Sequence, residues 1–121
     1  MSERTVVLVE DDALLRLDAV AMLDEAGLEV ADFETADEAA AYLKQHDGKV
    51  AAVLTDILTP GHLDGFDLAL DTSIRWPGVT VIMTSGLDRP KSLLIPSVTF
   101  LPKPWLPAEV LTAIQSAADH L

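Results

Sequence analysis

Hydrophobic residues along this chain follow two patterns, which alternate from one end to the other. Short unbroken apolar runs are typical of buried strands, whereas apolar residues recurring every three to four positions indicate helices. The runs predict strands at Thr5–Glu10, Glu29–Phe33, Lys49–Asp56, Val79–Gly86 and Val98–Pro104. The periodic stretches predict helices at Ala13–Gly27, Ala36–His46, Gly65–Trp76 and Pro107–Leu121.

Residues at the ends of the predicted helices support these boundaries. Asp12 and Thr35 stand just before the first two helices, where short polar side chains cap free backbone N–H groups. Gly27 follows the first helix at a position that favours glycine. Pro107 opens the last helix, where a missing N–H group costs little.

The alternation of strands and helices predicts an α/β protein. Parallel strands joined by right-handed helical crossovers form a doubly wound sheet with helices on both faces. A chain of 121 residues suits one domain. We therefore expect one domain over residues 1–121, built on a five-stranded parallel sheet.

The segment between the fourth and fifth strands, residues 86–98, does not fit the alternation. Pro90 and Pro96 leave only residues 91–95 between them. An interior proline costs a helix about 3 kcal/mol. We expect this fourth connecting helix to be short or irregular, with one turn at most.

Composition narrows the classes of function. The formal net charge is −12, so we expect no nucleic-acid partner, because phosphate binding relies on Lys and Arg. No apolar run is long enough to span a membrane. The N-terminal residues, MSERTVVLVEDD, lack the basic start, apolar helix and small-residue cleavage site of a secretory signal. The absence of cysteine excludes disulfides and zinc–thiolate sites. We expect a cytoplasmic protein that does not bind membranes.

Charged and hydroxyl side chains stand where several predicted strands end. The carboxyl ends of parallel strands lie at one edge of the sheet, and α/β proteins bind ligands there. The side chains brought to this edge are Glu10, Asp11, Asp56, Thr84 and Lys103. Taken one at a time, each has a simpler explanation: Asp11 as a helix cap, Asp56 as a turn residue, Lys103 as a surface charge. Their combination favours a binding site.

Three carboxylates in close proximity disfavour joint ionisation unless a cation binds them. Carboxylate oxygens suit Mg²⁺, which is often held by one or two carboxylates together with a phosphate. Beside such an ion, Asp56 can attack phosphorus and form an aspartyl-phosphate. Lys103 would offset charge on the transferring oxygens, and Thr84 would donate a hydrogen bond to them. Ser85 is an alternative hydroxyl.

The motifs LVEDD, LTDILTPG followed by DG, MTSG and LPKPW stand in the order found in one family. Over essentially its whole length the chain resembles the receiver domains of bacterial two-component response regulators. The resemblance implies a flavodoxin-like fold with strand order 2-1-3-4-5. It also implies that Asp56 accepts a phosphoryl group from a sensor histidine kinase or a histidine phosphotransfer protein, and that an unknown downstream protein reads the result.

The same resemblance assigns roles to residues of the site. Glu10, Asp11, Asp56 and the backbone carbonyl of Leu58 would bind Mg²⁺ or Mn²⁺. Thr84 and Lys103 would contact the phosphoryl group, and the Lys103–Pro104 peptide bond would be cis.

Three features depart from the family pattern. The loop Pro60–Gly65 is one residue longer than the common form. Phe100 occupies the place of a switch tyrosine that moves with the residue equivalent to Thr84. The segment 86–98 contains few residues that favour a helix. We therefore hypothesise that the downstream protein recognises a mobile loop there or another face of the domain, such as the first helix.

Two other functions remain as alternatives. A phosphatase of the haloacid dehalogenase type also forms an aspartyl-phosphate, but it needs a second aspartate at the position that Leu58 occupies. A pseudo-receiver would bind partners without phosphorylation, and the complete set of site residues argues against it. We expect a signalling module that accepts a phosphoryl group and can release it again, rather than an enzyme with general turnover.

Overall fold

The computed structural model describes residues 5–57, 59–85 and 97–119, with side chains of the last helix up to residue 115. The strands are β1 (Thr5–Val9), β2 (Glu29–Phe33), β3 (Ala52–Asp56), β4 (Thr80–Ser85) and β5 (Val98–Pro102). The helices within these ranges are α1 (Ala13–Glu25), α2 (Ala36–Gln45), α3 (Gly65–Arg75) and α4 (Pro107–Asp119).

The five strands form one parallel sheet in the order β2-β1-β3-β4-β5. This order confirms the predicted doubly wound, flavodoxin-like α/β fold. The register places Leu8 of β1 beside Leu54 of β3, and Asp56 of β3 beside Thr84 of β4. Because all the strands run the same way, their carboxyl ends meet at one edge of the sheet.

Helices cover both faces of the sheet, and each face has its own core. Side chains along a strand point alternately to opposite faces. Val6 and Leu8 of β1 therefore pack in the core beneath α1 and α4. Val7 and Val9 pack in the core beneath α2 and α3. This burial holds the strand ends rigidly in place.

The predicted helix caps are present. Asp12 Oδ1 accepts hydrogen bonds from the backbone N–H groups of Leu14 at 2.9 Å and Leu15 at 3.0 Å. Thr35 caps α2 in the same way, and Gly27 has the positive φ of 88° expected after α1. The caps explain why the helices begin where the sequence predicts.

The strand predicted at Lys49–Asp56 is shorter than expected and begins at Ala52. Asp47 and Gly48 have positive φ angles of 52° and 64°, so the chain is still turning before Ala52. Most of the segment 86–98 lies outside the described residues, and so does the predicted irregular fourth helix. Among the helices that the structure does describe, none has the length and apolar character needed to cross a membrane.

Candidate functional site

At the carboxyl edge of the sheet, two carboxylates contact the same ammonium group. Glu10 follows β1, Asp56 ends β3, and Lys103 follows β5. Lys103 Nζ lies 2.7 Å from Glu10 Oε1 and 2.7 Å from Asp56 Oδ1. The two acidic side chains are only 8% and 13% exposed, so these contacts are weakly screened by water.

The protonation of Lys103 follows from these contacts. Burial lowers the pKa of Lys103, but hydrogen bonds and Coulombic attraction from Asp56 and Glu10 outweigh it. The pKa of Lys103 is therefore raised above its ordinary value. The ammonium is charged at neutral pH and can offset negative charge at this edge.

Thr84 supplies a hydroxyl to the same carboxylate. Its Oγ1 donates to Asp56 Oδ1 at 3.0 Å. The contact follows from the sheet register, which pairs Asp56 with Thr84, and from the Ile57 N–H, which donates to the Thr84 carbonyl at 3.1 Å. The contact is made by Thr84, one residue before the alternative hydroxyl of Ser85.

Three carboxylates are close enough to bind one cation. Glu10, Asp11 and Asp56 each offer an oxygen, and these atoms lie within 4.8 Å of one another. Oxygen donors of this kind suit a hard ion such as Mg²⁺, and the exposed Asp11 leaves the site open to water ligands. The residues present therefore fit Mg²⁺. Leu58, the predicted carbonyl ligand, lies outside the described residues.

Asp12 is separated from the other acids by its role in α1. Its side chain caps the helix, and its backbone N–H donates to Glu10 Oε2 at 3.1 Å. The Glu10 carboxylate is thereby held on both oxygens, by Lys103 on one and by Asp12 on the other. The interpretation of Asp12 as a cap is correct.

The remaining predicted residues are placed as follows. The Lys103–Pro104 peptide bond is cis, as the resemblance implied. Phe100 lies in β5 beside Met83 of β4 and packs against a core cluster that includes Ile57. Its role as a switch residue stays a prediction.

Gly65 is a site residue that the sequence analysis did not single out. A Cβ atom at this position would overlap the Asp56 carbonyl oxygen and lie 2.6 Å from the carbonyl carbon. The first residue of α3 must therefore be glycine for the helix to approach Asp56 so closely. The only signal in the sequence was the DG pair itself.

The loop after Asp56 is anchored on α2. Asp37 accepts hydrogen bonds from the backbone N–H groups of His62 at 3.0 Å and Leu63 at 3.2 Å. Gly61, with a φ of 109°, packs against the same carboxylate. No local pattern could have paired Asp37 with this loop, because the contact joins distant parts of the chain.

A cavity of about 310 Å³ opens beside the acidic edge. Its polar lining includes Glu10, Asp56 and Lys103, and its apolar lining includes Leu15 of α1 and Trp105. Further apolar side chains are exposed on the first turns of α1 and just after Trp105: Leu14, Leu17 and Leu106. Apolar side chains of α1 and Trp105 therefore border the cavity that contains Asp56.

Comparisons with known proteins identify the family. The family model of the response regulator receiver domain matches residues 6–115, so the chain belongs to this family of two-component signalling proteins. No curated protein sequence matches the chain.

Several crystal structures are similar to this chain. A response regulator receiver protein from Sinorhizobium medicae WSM419 is 27% identical with a TM-score of 0.83, over 95% of this chain and 94% of that one. The receiver domain of the hybrid histidine kinase CckA is 25% identical with a TM-score of 0.75, over 93% of this chain and 97% of that one. A receiver domain protein from Clostridium thermocellum, 20% identical with a TM-score of 0.82 over 96% and 94%, shares the fold.

Proposed function

We propose that this chain is a phosphorylation-controlled signalling module in which Asp56 accepts a phosphoryl group from a phosphohistidine. The donor is a sensor histidine kinase or a histidine phosphotransfer protein. One observation carries the proposal: Lys103 Nζ and Thr84 Oγ1 both contact Asp56 Oδ1 at hydrogen-bond distance. The family membership and the cluster of Glu10, Asp11 and Asp56 support it.

In the transfer, an oxygen of Asp56 forms a bond to phosphorus while the bond from phosphorus to the imidazole nitrogen breaks. The imidazole keeps the electron pair of the broken bond. Such transfers depend mainly on positioning and on offsetting charge. β3 provides the positioning, because its buried residues hold the Asp56 backbone at the edge of the sheet.

Lys103 and Thr84 would change partners during the reaction. Each now contacts Asp56, and Lys103 also contacts Glu10. The new phosphoryl oxygens would accept from the ammonium and from the hydroxyl. Movement of Thr84 toward the phosphoryl group would then alter the surface near β4 and β5, which a downstream protein could recognise.

Mg²⁺ is the cofactor that the acidic residues would hold, with Mn²⁺ as the chemically similar alternative. Glu10, Asp11 and Asp56 would provide its carboxylate ligands. When bound, the ion would offset negative charge on the transferring oxygens. The chain itself would act as a switch in the cytoplasm, without general enzymatic turnover.

We expect the protein donor to reach Asp56 through the cavity that Leu15 and Trp105 border. Leu14 on α1 is 79% exposed and adjoins Leu15, which lines the cavity that also contains Asp56. We expect Leu14→Asp to slow transfer from the cognate phosphohistidine protein and to leave phosphorylation by acetyl phosphate unchanged. Ile74→Asp is a matched control, because Ile74 on α3 is 71% exposed. Equal effects of the two substitutions on transfer would contradict α1 as the donor surface.

The experiment that tests the proposal is phosphorylation in solution. The chain is incubated with Mg²⁺ and acetyl phosphate, and its intact mass is measured. We expect a mass gain of one phosphate that depends on Mg²⁺ and is absent in Asp56→Asn. Asp71→Asn is the control, because Asp71 forms an exposed ion pair on α3. A stable mass in the wild-type chain would favour the pseudo-receiver, and rapid hydrolysis of phosphomonoesters would favour the phosphatase.

A further inference from the structure

Arg16 on α1 makes two contacts outside its own helix. Its Nη1 donates to the carbonyl oxygen of Glu10 at 2.7 Å. Its Nε lies 3.3 Å from Oδ2 of Asp32 in β2. The side chain is only 21% exposed, so the guanidinium lies against the protein rather than in solvent. Short hydrogen bonds from a charged donor are among the stronger polar contacts in proteins.

The carbonyl oxygen that Arg16 holds belongs to the peptide bond between Glu10 and Asp11. A peptide group is planar, so fixing its oxygen also fixes the direction of the Asp11 N–H group. The preceding peptide is fixed too, because the Glu10 N–H donates to the Phe33 carbonyl at 3.1 Å. The backbone entering Asp11 is therefore held from both neighbouring elements, β2 and α1.

Asp11 depends on this backbone support. The residue is exposed, yet its carboxylate lies within 4.8 Å of oxygens from Glu10 and Asp56. Within residues 5–57, 59–85 and 97–115, no hydrogen bond is made to the Asp11 carboxylate. Its position relative to the other two acids is thus set by its backbone rather than by side-chain partners.

The pair with Asp32 makes arginine suitable for this position. Asp32 orients the guanidinium so that Nη1 faces the Glu10 carbonyl. Its negative charge also offsets the charge of Arg16, which reduces repulsion of a nearby cation. The forked donors of arginine can serve two partners in fixed directions, which a lysine ammonium does not do.

We propose that Arg16 is a positioning residue that holds Asp11 in place for binding a divalent cation. This role rests on the proposed function, because it assumes that the acidic residues bind Mg²⁺. Loss of contacts that orient metal ligands commonly weakens metal binding by about 10- to 100-fold. For a contact made through the backbone we expect the lower end, about tenfold.

The test measures Mg²⁺ binding directly. Trp105 lines the cavity that also contains Glu10 and Asp56, so its fluorescence should report MgCl₂ addition. The dissociation constant is measured for the wild-type chain, Arg16→Met and Arg16→Lys. The control is Arg75→Met, because Arg75 pairs with Asp71 at 3.0 Å on the distant α3 surface. Thermal denaturation of each variant shows that it is folded.

We expect both Arg16 variants to bind Mg²⁺ about tenfold more weakly than the wild-type chain, and Arg75→Met to bind it equally well. Saturating Mg²⁺ should restore phosphorylation of Arg16→Met by acetyl phosphate. Unchanged Mg²⁺ affinity with lowered thermal stability would show a purely structural role and overturn the inference. Tighter binding by Arg16→Met would also overturn it. Absence of Mg²⁺ binding by the wild-type chain would refute the proposed function itself, and this role with it.

Discussion

Lys103→Met removes the charge at the centre of the site and keeps an unbranched apolar side chain. The lost ammonium lies 2.7 Å from a carboxylate oxygen of Glu10 and 2.7 Å from one of Asp56. Without it, two poorly solvated carboxylates face each other. We therefore expect the variant to be less stable than the wild-type chain when Mg²⁺ is absent.

The size of this loss can be worked out from the contacts. At 2.7 Å each pair attracts by about 6 kcal/mol with an effective dielectric constant of about 20, but desolvation cancels much of this. Removing one partner of a buried pair costs about 3–5 kcal/mol. Because Lys103 is 26% exposed, we expect Lys103→Met to lower the free energy of unfolding by the lower end of this range, about 3 kcal/mol. For a domain of this size that lowers Tm by about 10 °C.

Mg²⁺ should reverse part of the effect. In the wild-type chain the ammonium repels a cation at the acidic edge, whereas in Lys103→Met the carboxylates attract it without competition. Thermal denaturation followed by circular dichroism measures the loss of stability in EDTA and the gain in stability on adding MgCl₂. Lys44→Met is the control, because Lys44 is exposed in the last turn of α2. Wild-type stability of Lys103→Met in EDTA, or equal Mg²⁺ stabilisation of both proteins, would refute the reasoning.

The stabilisation by Lys103 should also depend on pH. The pKa of Lys103 in the folded chain is raised above the ordinary value of 10.5. Its contribution is therefore fully present below pH 10.5 and is lost as pH rises through the higher folded pKa. The difference in Tm between the wild-type chain and Lys103→Met should be constant around neutral pH and shrink at strongly alkaline pH. A difference that grows with alkaline pH would contradict the assigned contacts.

Two further substitutions test the support around Asp56. Gly65→Ala should lower the free energy of unfolding by about 3 kcal/mol or more and slow phosphorylation, because the new Cβ overlaps the Asp56 carbonyl oxygen. The control is Gly78→Ala, because a Cβ at Gly78 meets nothing within 4 Å. Urea denaturation measures the stability of both variants. Asp37→Ala should lower the free energy of unfolding by about 1–2 kcal/mol, because two backbone N–H groups lose their acceptor. Amide hydrogen exchange in the loop after Asp56 should become faster. Asp71→Ala, which breaks an exposed ion pair, should leave that exchange unchanged.

Much of the fold and the site was predictable because both follow from local patterns. Apolar runs identified the strands, and the parallel topology brought their ends together. Glu10, Asp56, Thr84 and Lys103 could therefore be grouped before any contact was known, and the structure places them within hydrogen-bonding contact.

The supporting contacts could not be predicted in the same way. Arg16 reads as a charged residue on a helix, and nothing local shows that its side chain reaches the Glu10 carbonyl. Asp37 reads as an acidic residue in the first turn of α2, and its contact with His62 depends on how two loops pack. The need for glycine at position 65 appears only when α3 is packed against Asp56. These roles depend on tertiary geometry rather than on periodicity.

The most direct test of the central claim is to identify the residue that carries the phosphoryl group. The chain is phosphorylated with acetyl phosphate and Mg²⁺, reduced with borohydride, digested and analysed by peptide mass spectrometry. Borohydride converts an aspartyl-phosphate to homoserine and leaves a free carboxylate unchanged. We predict homoserine at position 56, only in samples that contained Mg²⁺ and the phosphodonor. Homoserine at another aspartate, or none in the treated chain, would contradict the assignment of Asp56 as the phosphoacceptor.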